Sequence, residues 1–202
     1  MNNSTCSALL LIDIQPEWYS QSHISKLFPK LPQNVSKLLK TCRQVSNIEV
    51  IHVRALYSKA INEVRNKDFS KWIDNFEELN PDKPAEIDGT EKVEPFAKEV
   101  DGEKLYLKPT FDAFFGTDLD QYLKAKNIQR ILVAGLITSV CVQATACSAF
   151  VRGYKVSLIE DCCGDRSIQR HQASLMLYGN YMYQVLCSDD IQQQPKIKKN
   201  NA

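Results

Sequence analysis

The chain of 202 residues predicts an α/β fold, a three-layer α/β/α arrangement around a doubly wound, mainly parallel sheet of about six strands. Two observations carry this. Short continuous aliphatic runs recur along the chain, each too short for a helix and suited to a strand covered on both faces. Between them lie segments with apolar residues at helical spacing, and strands alternating with helices at this interval give parallel pairing with helices on both faces. With 44% hydrophobic residues, the chain can bury one sizeable core. We read one domain over 8–188, followed by a flexible C-terminal tail over 189–202 that includes "QQQPKIKKNNA".

The elements follow in order. Ala8 to Ile12 is the first strand, ending at Asp13. Val35, Leu38, Leu39, Cys42 and Val45 mark a helix, and "IEVIHVRAL" from Ile48 the second strand. From Tyr57 to Pro95 the signal weakens: Trp72, Ile73 and Phe76 suggest a short helix, while "NPDKP" and "DGT" read as loop. "KLYLK" (104–108) is a third strand, Leu119, Tyr122 and Leu123 a helix face, and "RILVAG" (130–135) a fourth strand. A helix from Val140 to Val151 stops at Gly153. Lys155 to Ile159 is the fifth strand, Ile168 to Met176 a helix, and "YQVLC" (183–187) the last strand. This is a Rossmann-like order.

Composition narrows the function classes. Lys plus Arg number 25 against 24 Asp plus Glu, so no global field attracts nucleic acid or an anionic membrane surface. No run of about 18 apolar residues exists, and the start lacks a secretory pattern, which points to a cytosolic chain. Seven cysteines, an odd number without regular spacing, suit a reducing compartment, where most are small core hydrophobes. A nucleotide-binding reading fails because neither G-x-G-x-x-G nor G-K-[ST] follows any expected strand.

Ligands of open α/β sheets bind outside the carboxyl ends of strands, so polar residues that terminate apolar runs are the candidates. Asp13, Lys108 and Cys141 are such residues. Each has a bland alternative: a helix cap or solvated carboxylate, a surface lysine, a buried core thiol. The position of Cys141 shifts the balance. Thr138 or Ser139 can cap the following helix and place Cys141 in its first turn. A helix start is worth only about 0.3 to 1 kcal/mol to an anion. A thiol of pKa about 8.5 therefore needs a neighbouring cation or base as well. Lys108 can supply the cation and Asp13 can accept the proton, giving a base, cation and nucleophile set.

The stretches "LLLIDIQPEW" (9–18), "LKPTFDAFFGTDLDQYLK" (107–124) and "ILVAGLITSVCVQATACSAFVRGYKV" (131–156) are similar to those of the isochorismatase-like cysteine hydrolase superfamily, which includes nicotinamidases, carbamoylsarcosine amidases and ureidoacrylate amidohydrolases. The resemblance runs from about Ala8 to Cys187 and implies the fold of those hydrolases. It implies that Asp13, Lys108 and Cys141 form a catalytic triad. It also implies a cis peptide at Leu136–Ile137, with the N–H groups of Ile137 and Cys141 forming an oxyanion hole. The activity implied is covalent cleavage of a C–N bond in a small amide, ureido or carbamoyl compound, through a thioester. Trp18 and Phe114 flank two of the motifs and are candidate substrate-binding walls, with core packing the alternative.

The chain departs from that pattern in two places. Nicotinamidases of the superfamily hold a metal through an Asp-x-His pair and a further His, whereas here "VIHVRALYSKA" offers His52 alone, and His23 and His171 lie far off in sequence. No metal and no other cofactor is expected, and His52 reads as a packed histidine. The position two before the nucleophile, often Asp in the family, is Ser139. Cys162 and Cys163 read as structural, since adjacent cysteines rarely bridge. The expected partner is a small-molecule substrate, with a homo-oligomer, dimer or tetramer, by analogy. Competing readings are a vinyl ether hydrolase of the isochorismatase type, which does not need the thiol, and a non-catalytic binding protein that retains the fold.

Overall fold

The computed structural model describes residues 6–57 and 92–193. Six strands form one sheet in the order β3-β2-β1-β4-β5-β6, every pairing parallel: β1 (Cys6–Ile12), β2 (Ile48–Ala55), β3 (Lys104–Lys108), β4 (Ile128–Leu136), β5 (Lys155–Gly164) and β6 (Gln184–Leu186). Among the described residues five helices accompany them: α1 (Ile24–Leu27), α2 (Leu31–Gln44), α3 (Leu119–Ala125), α4 (Gln143–Val151) and α5 (Ile168–Tyr178). The short helix expected around Trp72 to Phe76 lies outside the described residues.

Alternation along β1 divides the core, because successive side chains of a strand face opposite sides. Leu9 and Leu11 pack on one face with Val35, Leu38, Leu39 and Cys42 of α2. Ala8, Leu10 and Ile12 pack on the other with Leu119 and Leu123 of α3 and with Ala146 and Ala149 of α4. All three β1 residues on that second face are inaccessible to solvent, which is why the run reads as unbroken aliphatic. The layers are those expected, and the sheet is wholly parallel.

Three boundaries differ from the sequence reading. β5 continues past Ile159 to Gly164 through the polar stretch Glu160–Asp161. Its pairing with β4 jumps from Val133↔Leu158 to Gly135↔Cys163, so four residues of β5 oppose the single Ala134 in a wide bulge. The helix expected from Val140 begins as a π-helical turn, Thr138–Val142, before α4 takes over at Gln143. The segment expected to be a tail from 189 is packed at its start. Ser188–Gln193 forms a 3₁₀ turn, Ile191 is buried against the α2 face, and Asp189 pairs with Lys37 of α2.

A polar clamp joins β2, α2 and the start of β3. Glu103 accepts from Arg43 at 2.8 and 2.9 Å, from the Val100 N–H at 3.0 Å and from His52 Nε2 at 2.8 Å. His52 is thus the packed histidine expected, held on a carboxylate and pushed by burial to lose its proton more easily than a free histidine. Burial alone would raise the Glu103 carboxyl, but these donors outweigh it and hold it at about 2. A depressed folded value means that this stabilisation is complete above the ordinary carboxyl range and disappears as the pH falls from about 4.5 to about 2. Glu103→Gln should therefore cost about 1 to 3 kcal/mol at neutral pH, and its difference from wild type in denaturant unfolding should shrink as pH falls through that window.

Candidate active site

The strand order runs outward from β1 in both directions, so the switch point lies between β1 and β4, where an α/β sheet opens a crevice at its carboxyl edge. The backbones are unusually close there. Gly135 pairs with Ile12, adopts φ +125°, and a Cβ at this position would sit 2.0 Å from the Ile12 carbonyl oxygen. Only glycine permits that approach.

Asp13 leaves β1 in the left-handed region, φ 49°, a conformation that aspartate tolerates better than most residues. Its N–H bonds to Val53 O of β2 at 2.8 Å. Lys108 ends β3 opposite Ala55, whose small side chain leaves the lysine room to reach across the end of β2. Lys108 Nζ lies 2.7 Å from Asp13 Oδ2. Both side chains are shut off from solvent, at 0% and 1% exposure. Cys141 sits in the π-helical turn after β4, and its thiol contacts both Asp13 and Lys108. Three residues distant in sequence are thereby brought together at one rim.

The electrostatics of the three are coupled. Burial pushes the Asp13 carboxyl above its usual range, against the pull of Lys108. Burial also works against the Lys108 charge, yet Asp13 and Cys141 beside it hold the amine above the ordinary lysine range. The sequence leads one to expect a thiol lowered into the reactive range, and the site differs. Burial pushes Cys141 up to about 12, with Lys108 pulling down and Asp13 pushing further up. Burial and Asp13 thus favour the protonated thiol, and Lys108 favours the thiolate.

The peptide Leu136–Ile137 is cis. The Ile137 carbonyl accepts from the N–H groups of Val140 and Val142 at 3.0 and 3.2 Å, which ties the π-helical turn to the end of β4. Neither Thr138 nor Ser139 caps through its side chain, contrary to expectation. Thr138 Oγ1 instead donates to Gly164 O at 2.9 Å and also lies 2.9 Å from His171 Nδ1, and the Ser139 N–H is taken by Asp165.

Of the two expected walls, Trp18 packs against Ala55 and Tyr57, and its indole N–H is buried without a partner. Phe114 does not reach the rim. Its ring stacks on Tyr154 at 6.3 Å and lies under Arg152 at 4.7 Å, beside the start of β5 at the opposite end of the sheet. Its apolar area is spent on core contacts, the bland alternative. Two site residues went unread in the sequence. Tyr57 places its ring 5.8 Å from Lys108 Nζ. Gln15 is fully buried and brackets the Ala55 peptide, donating to its carbonyl at 3.2 Å and accepting its N–H at 2.9 Å. A polar residue two positions beyond Asp13 is the only signal for it.

Among the described residues no cluster of His, Cys, Asp and Glu is arranged to hold a metal ion, and no helix is long and apolar enough to cross a membrane. A depression of about 430 Å³ bounded by Phe28, Asn34, Asp161 and His171 lies beside the β5 bulge and contains none of the three rim residues. None of the seven cysteines is joined in a disulfide. Replacing Lys108 with Met removes the one pull that lowers the thiol. Alkylation of Cys141, followed by peptide mass spectrometry between about pH 7 and 9, should slow at least about tenfold, the equivalent of one pKa unit.

Comparisons with known proteins agree with this architecture. Residues 7–190 match the model of the isochorismatase domain. Nicotinamidase 3 of Arabidopsis thaliana is 26% identical over 187 residues, covering 92% of this chain and 87% of the relative. Maleamate amidohydrolase of Pseudomonas putida is 34% identical over 104 residues, 52% of this chain and 47% of the relative. An isochorismatase-like hydrolase from Alkaliphilus metalliredigens superposes with a TM-score of 0.75 at 21% identity, covering 94% of this chain and 98% of that one. N-carbamoylsarcosine amidase from Thermoplasma acidophilum gives 0.71 at 23% identity, covering 91% and 96%. With a domain match over nearly its whole length, the chain belongs to the isochorismatase family.

Proposed function

We propose that the protein is a cysteine-dependent hydrolase that cleaves a C–N bond of a small amide, ureido or carbamoyl compound. The observation that carries this reading is the buried contact of Lys108 Nζ with Asp13 Oδ2 at 2.7 Å, with the Cys141 thiol against both. A nucleophile, a base and a cation in water-poor surroundings are the parts that acyl transfer needs. Relatives named for amide hydrolysis, the nicotinamidase and the maleamate amidohydrolase, support the reaction class.

The electrostatics define the order of events. The resting thiol keeps its proton, so activation accompanies attack: Asp13, its carboxyl raised by burial, takes the Sγ proton as sulfur bonds to the substrate carbonyl carbon. Lys108 stays charged and offsets the anion that passes between sulfur and the substrate oxygen. The N–H groups of Ile137 and Cys141 are the candidate donors for that oxygen. When the C–N bond breaks, protonated Asp13 gives its proton to the leaving nitrogen, releasing ammonia or an amine and leaving an acyl thioester on Cys141. Water, deprotonated by Asp13, then hydrolyses the thioester and returns the thiol. Tyr57 and Trp18 stand beside Lys108 and Ala55 as the apolar side of the substrate space.

The proposed setting is cytoplasmic, without metal or cofactor, in a homo-oligomer that acts on a small molecule. Ammonia release across a panel of small amides, ureido acids and carbamoyl amino acids tests the reading. At least one should turn over, and Cys141→Ser or Asp13→Asn should lower its kcat by at least about a thousandfold. Retained hydrolysis in Cys141→Ser would rule out the thioester route.

A further inference from the structure

The π-helical turn that carries Cys141 begins without a side-chain cap of its own, although a helix start presents several N–H groups with no partner in the helix. The partner arrives from another strand. Asp165, the residue after β5, has no solvent exposure, and its Oδ2 accepts the Ser139 N–H at 2.7 Å across 26 positions of sequence. Its Oδ1 accepts the Arg166 N–H at 2.7 Å. One residue earlier, Gly164 O accepts from Thr138 Oγ1 at 2.9 Å. The downstream end of the turn is held too, because Gln143 Oε1 accepts from Ser174 at 2.8 Å and Tyr183 at 2.7 Å.

The β5 bulge is what delivers this contact. Four residues of β5 opposite the single Ala134 bring Gly164 level with Leu136, and Asp165 therefore reaches the first residues of the nucleophile turn. A carboxylate removed from water is costly unless several donors hold it, and here both oxygens are satisfied by backbone N–H groups. A residue that only closed its own local turn would use the Arg166 N–H and leave the second oxygen elsewhere.

We propose that Asp165 is a positioning residue for the reaction. By fixing the Ser139 peptide it sets the height and direction of the π-helical turn, and so holds the Cys141 thiol against Asp13 and Lys108. Asp165 touches no reacting atom; it acts through the backbone two residues before the nucleophile. The titratable groups that interact with Asp165 are His171, whose ring contacts Thr138, and Cys163 of β5, while Arg166 meets it through its backbone N–H. Those facing Cys141 are Asp13 and Lys108.

This inference rests on the reading of Cys141 as nucleophile, and the test keeps the two apart. The rate of Cys141 alkylation is measured against pH, from about 6 to 10, for wild type, Asp165→Ala, Asp165→Asn and Lys108→Met. Wild type should climb without levelling. Asp165→Ala should level in the ordinary cysteine range, about 8.5 to 9, because the thiol leaves its buried contacts. Asp165→Asn, which keeps one acceptor, should fall between. For any amide that turns over, kcat should drop at least tenfold in Asp165→Ala with KM within about twofold. A wild-type profile in folded Asp165→Ala, or in Asp165→Asn should the alanine variant not fold, overturns the proposal. If Lys108→Met also matches wild type, the nucleophile reading fails with it; if Lys108→Met is slow while both Asp165 variants behave as wild type, only the positioning role falls.

Discussion

A lysine and an aspartate removed from water together, Lys108 and Asp13, set the terms for everything around them. Desolvating two charges costs several kcal/mol for each, and their attraction recovers this only when the geometry is good and the remaining donors and acceptors are used. The backbone around the pair helps to hold its geometry. Asp13 is fixed by its N–H on β2, Lys108 donates to Thr110 O at 3.0 Å, and the Ala55 peptide that separates them is bracketed by Gln15. A pair buried so fully adds little to stability that apolar residues would not, and in the function proposed above its role is what it does to the third group, the thiol.

The placement of that thiol depends on two irregularities in an otherwise regular sheet. At Gly135 the backbone of β4 comes so near β1 that no side chain fits between them, which puts the end of β4 directly beside Asp13. In β5 the bulge opposite Ala134 carries Gly164 and Asp165 forward to meet Thr138 and Ser139. Regular strands would leave the turn that carries Cys141 further from the carboxylate and open at its start. Both departures fall toward the carboxyl edge of the sheet.

The fold was legible because each buried strand is a continuous aliphatic run, and Asp13, Lys108 and Cys141 were legible because a polar residue closing such a run is conspicuous. β5 was read short for the same reason: Glu160 and Asp161 look like the end of a strand, while in the structure they belong to the bulge and pairing resumes at Cys163. Asp165 and Gln15 left almost no trace, since each acts through hydrogen bonds to backbone 26 and 40 positions away, and sequence spacing carries no record of such contacts. Phe114 was misplaced because nearness in sequence to Lys108 does not fix which end of the sheet a side chain faces; its neighbours are Tyr154 and Arg152. Burial, the largest influence on Cys141, is not legible in the sequence at all, because it depends on how the turn around the thiol packs.

A neutral thiol waiting beside a charged pair is a different resting state from a standing thiolate, and the two are separable by direct observation. Carbon-13 NMR of protein labelled at cysteine Cβ, with Cys141→Ser identifying the resonance, reports the protonation state of this sulfur without substrate. The account predicts a thiol signal at Cys141 from about pH 6 through pH 9, since an ordinary cysteine would already be titrating near 8.5. A thiolate signal at neutral pH would contradict it and would move the proton transfer from the attack step to the resting protein.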